Sequence, residues 1–209
     1  MTKTATRLHD IGAFAEDSEE LNVIIETPKG SRNKFNLDEE LQLFKLGGVL
    51  PAGAVFPFDF GFVPSTLGGD GDPLDVLVLM DEPAFAGCLV TVRLLGVIEA
   101  EQTERDGETT RNDRLIGVAT KSRQHAEVTS LRNLSDTLVA EIEHFFVSYN
   151  RIKEKEFKPL GRFGPARAAA VVEEGIKLFR RKKSKSSAKK SASKRGGTSR
   201  KSGARAKKS

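Results

Sequence analysis

The 209-residue chain has no tryptophan, a single tyrosine and a single cysteine. Cys88 has no intrachain partner, which excludes a disulfide framework and fits a reducing compartment. Nothing nearby would activate its thiol, and it reads as a small apolar residue. No apolar run approaches the ~18 residues of a membrane helix, and no basic region followed by an apolar core marks a secretory signal. The expectation is a soluble, cytoplasmic protein with no membrane partner. No Gly-x-x-x-x-Gly-Lys-Ser/Thr loop, cysteine pair or His-Glu-x-x-His helix occurs, and His9, His125 and His144 are dispersed. These absences remove P-loop phosphate binding and zinc chemistry.

Acid is missing in one place only. Residues 180–209 hold 14 of the 34 Lys and Arg and none of the 29 acids, so the other 179 residues carry 20 − 29 = −9. The net charge of +5 therefore describes neither part. The Lys/Arg/Ser/Ala-rich tail lacks the apolar surface to offset chain entropy and is expected to be disordered. Clustered cations without aromatics imply nonspecific nucleic-acid binding by counterion release, or else a merely solubilising extension. The expected organisation is an N-terminal extension over 1–20, one domain over 21–179 and the tail over 180–209.

The acids are most concentrated in Asp70-Gly71-Asp72-Pro73-Leu74-Asp75, which has glycines at 68 and 69 just before it. Glycine permits a sharp turn, and Pro73 biases Asp72 toward extended backbone. The run Val76-Leu77-Val78-Leu79-Met80 then reads as a buried strand. Three carboxylates where a turn enters a strand repel one another unless a cation neutralises them, and hard oxygens suit Mg²⁺ or Mn²⁺. A solvated acidic turn is the plainer reading, but turn chemistry alone does not require three acids. An EF-hand is excluded, because Asp75 falls where that loop needs glycine.

Patterning predicts further strands at Leu21 to Glu26, Leu89 to Glu101 and Arg114 to Thr120, with a hairpin of Lys34 to Leu37 and Gln42 to Leu46 around Asp38-Glu39-Glu40. Ser135 is placed to cap a helix running to about Asn150, with Ile142, Phe145, Phe146 and Tyr149 on one face. A last helix is predicted from Pro165 to about Phe179. Strands followed by helices, without regular alternation, indicate an α+β fold.

The stretch Asp70 to Asp75 resembles the acid-x-acid-Pro-apolar-acid signature of soluble family I inorganic pyrophosphatases. Three further segments resemble that family in the same order: Ile25 to Phe35, the aromatic Phe56-Pro57-Phe58-Asp59-Phe60-Gly61-Phe62-Val63-Pro64, and His144-Phe145-Phe146 with Tyr149 beyond. The similarity spans roughly residues 20 to 178, and four motifs in order are specific where one would be weak. It implies a closed, five-stranded OB-like β-barrel with flanking helices, which periodicity does not specify. It also implies metal-dependent hydrolysis of pyrophosphate, with Mg²⁺ as the expected cofactor, and a homo-oligomer, hexameric in many bacterial members.

By the same resemblance, Asp70 and Asp75 are metal ligands, Asp72 is the general base, and Lys34, Tyr149, Arg114 and Glu26 bind or border substrate. The chain departs from the family pattern at several positions. The acid expected after Lys34 is Asn36, and the phosphate arginine aligns with Gly48. Phe60 replaces a substrate tyrosine, and Asn150 replaces a lysine. Two metal-site aspartates align with Gln102 and Asn112, which keep a carbonyl oxygen for a hard cation, and Arg114 replaces a lysine. Glu101, Asp113 and Asp106 are neighbouring acids available as substitutes, although a one-residue shift along a strand points a side chain to the other face. The alternative expectation is a weakly active or inactive phosphate-binding relative, tethered to nucleic acid by its tail.

Overall fold

A computed structural model describes residue 8 and residues 11–195, with side chains up to residue 185. Among these residues the chain forms β1 (Leu21–Thr27), β2 (Asn33–Asp38), β3 (Leu43–Val49), β4 (Asp59–Val63), β5 (Leu74–Leu79) and β6 (Leu89–Thr103). Then come β7 (Thr109–Arg111), β8 (Arg114–Ala119), α1 (Asp136–Ile152), β9 (Glu156–Phe163) and α2 (Pro165–Arg195). The fold is α+β, as patterning predicts.

The pairings run in a circuit. Antiparallel β1 joins β4 on one side and β6 on the other, while β4 joins β5, β5 joins β8 in parallel, and β8 joins β6. The long β6 also carries β7 and β9. The hairpin β2-β3 stands apart as a two-stranded sheet around the acidic turn. It pairs Lys34 with Gly48.

Strand alternation divides the core in two. Val76 and Val78 point into one cluster, where Val171 and Val172 of α2 close over Val23, Ile25 and Leu115. Leu77 and Leu79 point into the other, with Ile98, Ile116 and the aromatic pair Phe56 and Phe60 under Ile142 and Phe146 of α1. Each fully buried Leu, Val or Phe contributes roughly 1.5–3 kcal/mol, so β5, buried on both faces, anchors the loop before it. Ser135 caps α1 by accepting the Leu138 N–H at 3.2 Å, as the sequence predicts.

Three strands escape sequence reading. β4 lies in the aromatic-proline stretch, β7 has three residues, and β9 contains Pro159 and Gly161, which argue against a strand. β9 tolerates them at a register shift opposite Glu99 and Ala100. Part of the expected N-terminal extension is structured, for Ala13 is buried and Phe14 bridges Leu21. For residues 180–195 alone, the expected disorder is corrected, because α2 continues to Arg195. Lys, Arg and Ala favour helix, and elongation from a helix whose first turns are pinned by Ala168, Val171 and Val172 needs no new nucleation. Residues 196–209 of the expected tail, like 1–7 and 9–10 at the other end, lie outside the described residues.

An ionic clamp ties α2 to the sheet. Glu99 of β6 accepts from Arg167 of α2 at 2.6 Å and from Arg111 of β7, whose Nε reaches Asp113 at 2.5 Å. Burial would raise the Glu99 carboxyl, yet hydrogen bonds from Arg111 and Arg167 outweigh it and hold the group below its ordinary value of 4.5. A depressed carboxylate stabilises above its unfolded pKa and loses that contribution as pH falls through the folded one. Glu99→Gln is accordingly expected to cost about 1 kcal/mol at pH 7. In urea titrations the gap between variant and parent should close as pH falls through the lowered Glu99 carboxyl, below its ordinary 4.5, and a gap independent of pH would refute the ionic role.

Candidate active site

The loop between β4 and β5 is built to hold acids close together. Buried Thr66 donates to the Val63 carbonyl at 2.6 Å and accepts from the Leu74 N–H at 3.0 Å, fixing both ends. Gly71 sits at φ +90°, a conformation costly for a residue bearing Cβ, and reverses the chain between Asp70 and Asp72. Asp70 accepts the Asp72 N–H at 3.2 Å, so the two acids share one turn. Asp75 then projects from β5. Burial pushes its carboxyl up to about 6, against the opposing pull of Arg114 and Lys34. Burial likewise raises Asp70, and the charge of Asp72 adds to it.

Facing the acids is a set of cations. Arg114 is 5% exposed and meets Asp75 at 2.9 Å, with its guanidinium 4.9 Å from the centre of the Phe146 ring and 5.2 Å from that of Phe157. The parallel register Val76↔Leu115 makes the pair, because it places the preceding residues, Asp75 and Arg114, side by side. Lys34 of β2 binds Glu26 of β1 at 2.7 Å and lies 4.4 Å above the Phe60 ring. Burial, followed by the charge of Asp75, pushes the Tyr149 phenol up to about 12, which keeps it a donor at neutral pH.

All nine residues singled out from the sequence line one cleft of about 400 Å³: Glu26, Lys34, Asp70, Asp72, Asp75, Gln102, Asn112, Arg114 and Tyr149. The amides behave differently from the acids. Gln102 accepts from Asn112 at 3.2 Å and donates to Glu104 at 2.7 Å, while Asn112 accepts from Arg114. Both amide oxygens are thus engaged within the protein. The three candidate substitutes do not enter the cleft. Asp113 accepts from the Ala100 N–H and from Arg111, Asp106 caps the Glu108 N–H, and Glu101 stands opposite Arg111 in the β6–β7 register.

Sequence reasoning missed three charged residues. Lys153 and Lys155 line the cleft, and Lys155 pairs with Glu104 at 2.6 Å. For Lys153 a signal existed, since it follows Tyr149 by four positions on the same helical face. Lys155 and Glu104 were legible only once β9 was known, because the register Thr103↔Glu156 sets them opposite each other.

A profile of the inorganic pyrophosphatase family matches residues 23–180. The chain belongs to this family. It is 37% identical over 160 residues to an inorganic pyrophosphatase of Synechocystis sp., covering 77% of this chain and 92% of that one. A Streptomyces coelicolor inorganic pyrophosphatase is 36% identical over 162 residues, covering 77% and 96%. The crystal structure of inorganic pyrophosphatase from Thermus thermophilus superposes with a TM-score of 0.76 at 32% identity, covering 84% of this chain and 99% of that one.

Family I inorganic pyrophosphatases are metal-dependent, and the cleft suits a hard divalent cation on its acidic wall. Two of its loop carboxylates are raised by burial, which a cation would relieve. Among the described residues no three acidic, His or Cys side chains converge on one point. An ion here would therefore take one or two carboxylates and complete its shell with waters and substrate oxygens, the ordinary manner of Mg²⁺.

Gly48, where the resemblance implies a phosphate arginine, is open in this member of the family. A Cβ added at Gly48 meets nothing within 4 Å, and the residue borders a 210 Å³ recess shared with Lys34, Tyr149 and Lys153. Gly48→Arg is expected to leave the thermal midpoint within about 2 °C, as for a surface change within ±0.5 kcal/mol. The same variant should tighten inorganic phosphate binding by calorimetry. Unfolding, or unchanged affinity, would show that the recess does not face the phosphate.

Proposed function

We propose that the protein hydrolyses inorganic pyrophosphate to two phosphates with Mg²⁺, Mn²⁺ being the other hard-oxygen candidate. The observation that carries this reading is the convergence of the Asp70-Asp72-Asp75 loop, Lys34, Arg114 and Tyr149 on one cleft in a chain of this family. The circuit of strand pairings is read as the closed five-stranded barrel of the resemblance, with the site at its rim. Bound at Asp70 and Asp75, the ion would supply charge neutralisation and acidify a coordinated water. Asp72, on the same turn, takes the proton from the attacking water. Lys34 and Arg114 neutralise phosphate oxygens, and the protonated Tyr149 donates to them. Glu26 orients Lys34 through their 2.7 Å contact. Gln102 and Asn112 act here by positioning Arg114 and Glu104, because their oxygens are already engaged.

Asp72→Asn is expected to lower turnover by about 10²–10⁴-fold while leaving metal affinity nearly unchanged, because it removes a general base and not a ligand. Asp75→Asn should weaken Mn²⁺ binding, read by paramagnetic resonance, as well as the rate. Parental turnover in Asp72→Asn, or an unchanged Mn²⁺ titration in Asp75→Asn, would remove the respective assignment.

The reading includes a cytoplasmic homo-oligomer, hexameric by resemblance. The exposed Leu41, Leu43, Leu46 and Val49 of the β2-β3 hairpin are apolar surface that association would bury. It also includes nonspecific nucleic-acid binding, favoured by the separation of a −9 body from a +14 C-terminal segment. Residues 186–209 carry nine of those cations and no acid, and each phosphate neutralised steepens the salt dependence by about 0.9 on duplex DNA. Deleting 186–209 should abolish salt-sensitive retention of duplex DNA and leave pyrophosphate turnover within about twofold. Tight duplex binding by the truncated chain would refute this division.

A further inference from the structure

We propose that Lys153 and Lys155, at the junction of α1 and β9, form a phosphate-binding subsite for one phosphoryl group of a diphosphate. This inference rests on the reading of the cleft as a pyrophosphate site and adds ligands that the family pattern does not place there. Two residues of helix end and turn bring both ammonium groups to one wall. Lys153 caps α1, and Glu154 adopts φ +58°, so the chain reverses and Lys155 enters β9 on the same side. A left-handed conformation at a glutamate is uncommon and carries strain, and here it delivers two lysines to a cleft.

The acids Glu39, Asp70 and Asp72 also line the cleft, and it is the local charge at the junction of α1 and β9 that points to an anion. Glu26 is engaged by Lys34, Asp75 by Arg114 and Glu104 by Lys155. Lys153 has no carboxylate partner among the described residues. Its ammonium meets the Tyr149 hydroxyl and lies 4.1 Å from the centre of that ring. Partial burial, then the like charges of Lys34 and Lys155, pulls the Lys153 pKa below its ordinary value. Lys153, the one of the three without a carboxylate partner among the described residues, is repelled by its neighbours, and a phosphate dianion beside it reverses the sign of that interaction.

The position suits the role. Lys153 lies between the main cleft and the recess at Gly48 and lines both, so it stands where the arginine and lysine of the family pattern are missing at 48 and 150. Glu104 holds Lys155 in place while Gln102 holds Glu104, so a residue aligned with a metal-site aspartate serves here to position a cation.

The test uses the full chain and two probes, the non-hydrolysable methylenediphosphonate and inorganic phosphate, each titrated calorimetrically with Mg²⁺ present. Lys153→Met is expected to weaken diphosphonate binding at least about tenfold, the scale of one lost charge-assisted hydrogen bond. Lys155→Met should do the same, Lys153→Arg should restore most of the affinity, and the thermal midpoint of Lys153→Met should match the parent. In turnover, KM for pyrophosphate should rise by a similar factor with kcat within about threefold. Parental diphosphonate affinity in both methionine variants would overturn the subsite. A parent that binds diphosphonate through these lysines but does not hydrolyse pyrophosphate would overturn the enzymatic reading and leave the subsite standing.

Discussion

The ion pair between Asp75 and Arg114 is the contact on which the site is built. Both residues belong to strands buried on both faces, and the parallel register of β5 and β8 leaves them no freedom to separate. Arg114 is nearly inaccessible to water and is cradled by two aromatic rings, so its charge must be answered locally. Asp75 answers part of it, and Asn112 and the Asp113 carbonyl take further donors. The raised Asp75 carboxyl shows that the exchange is incomplete, for desolvation outweighs the arginine's pull. A cleft with an under-neutralised acid wall and a fixed guanidinium is prepared for a cation and an anion together, which describes a metal-bound phosphate.

Much of this was legible in the sequence, for identifiable reasons. The loop acids declared themselves because glycine, proline and a five-residue apolar run fix where a turn meets a strand. Helix α1 was legible from its serine cap and its spaced apolar face. The circuit of strands was not, because pairing is a nonlocal property and β1 must meet both β4 and β6. β9 was hidden by a proline and a glycine that only an edge position with a register shift can absorb. Lys155 and Glu104 were hidden with it, since their proximity follows from that pairing alone.

The helix α2 shows where compositional reasoning overreached. Low hydrophobicity and high charge predict disorder when a segment stands by itself. Residues 180–195 do not stand by themselves, because they extend a helix whose first four turns are packed on the sheet and clamped through Arg167 and Glu99. Once nucleation has been met by packing, residues of good propensity elongate at small cost. The basic segment thus begins as a continuation of the domain, and Lys182 reaches back to the Gly71 carbonyl at 3.4 Å, on the loop that carries the acids.

The two amides and Lys155 belong to one hydrogen-bonded network. Gln102 and Asn112, where the resemblance implies two acids, bring no negative charge to the cleft, and an amide oxygen attracts a divalent ion far less than a carboxylate does. The same amides gain N–H donors that an ionised acid lacks, and they use them, Gln102 on Glu104 and Asn112 on Gln102. The chain Asp75, Arg114, Asn112, Gln102, Glu104, Lys155 is therefore continuous, with an ion pair at each end and two neutral amides in the middle. Along it, positive charge is supplied by side chains fixed in the fold. Fixed ammonium groups need no dissolved ion to be present. They also cannot acidify a water as a metal does, a task that the proposed function assigns to an ion at the loop carboxylates.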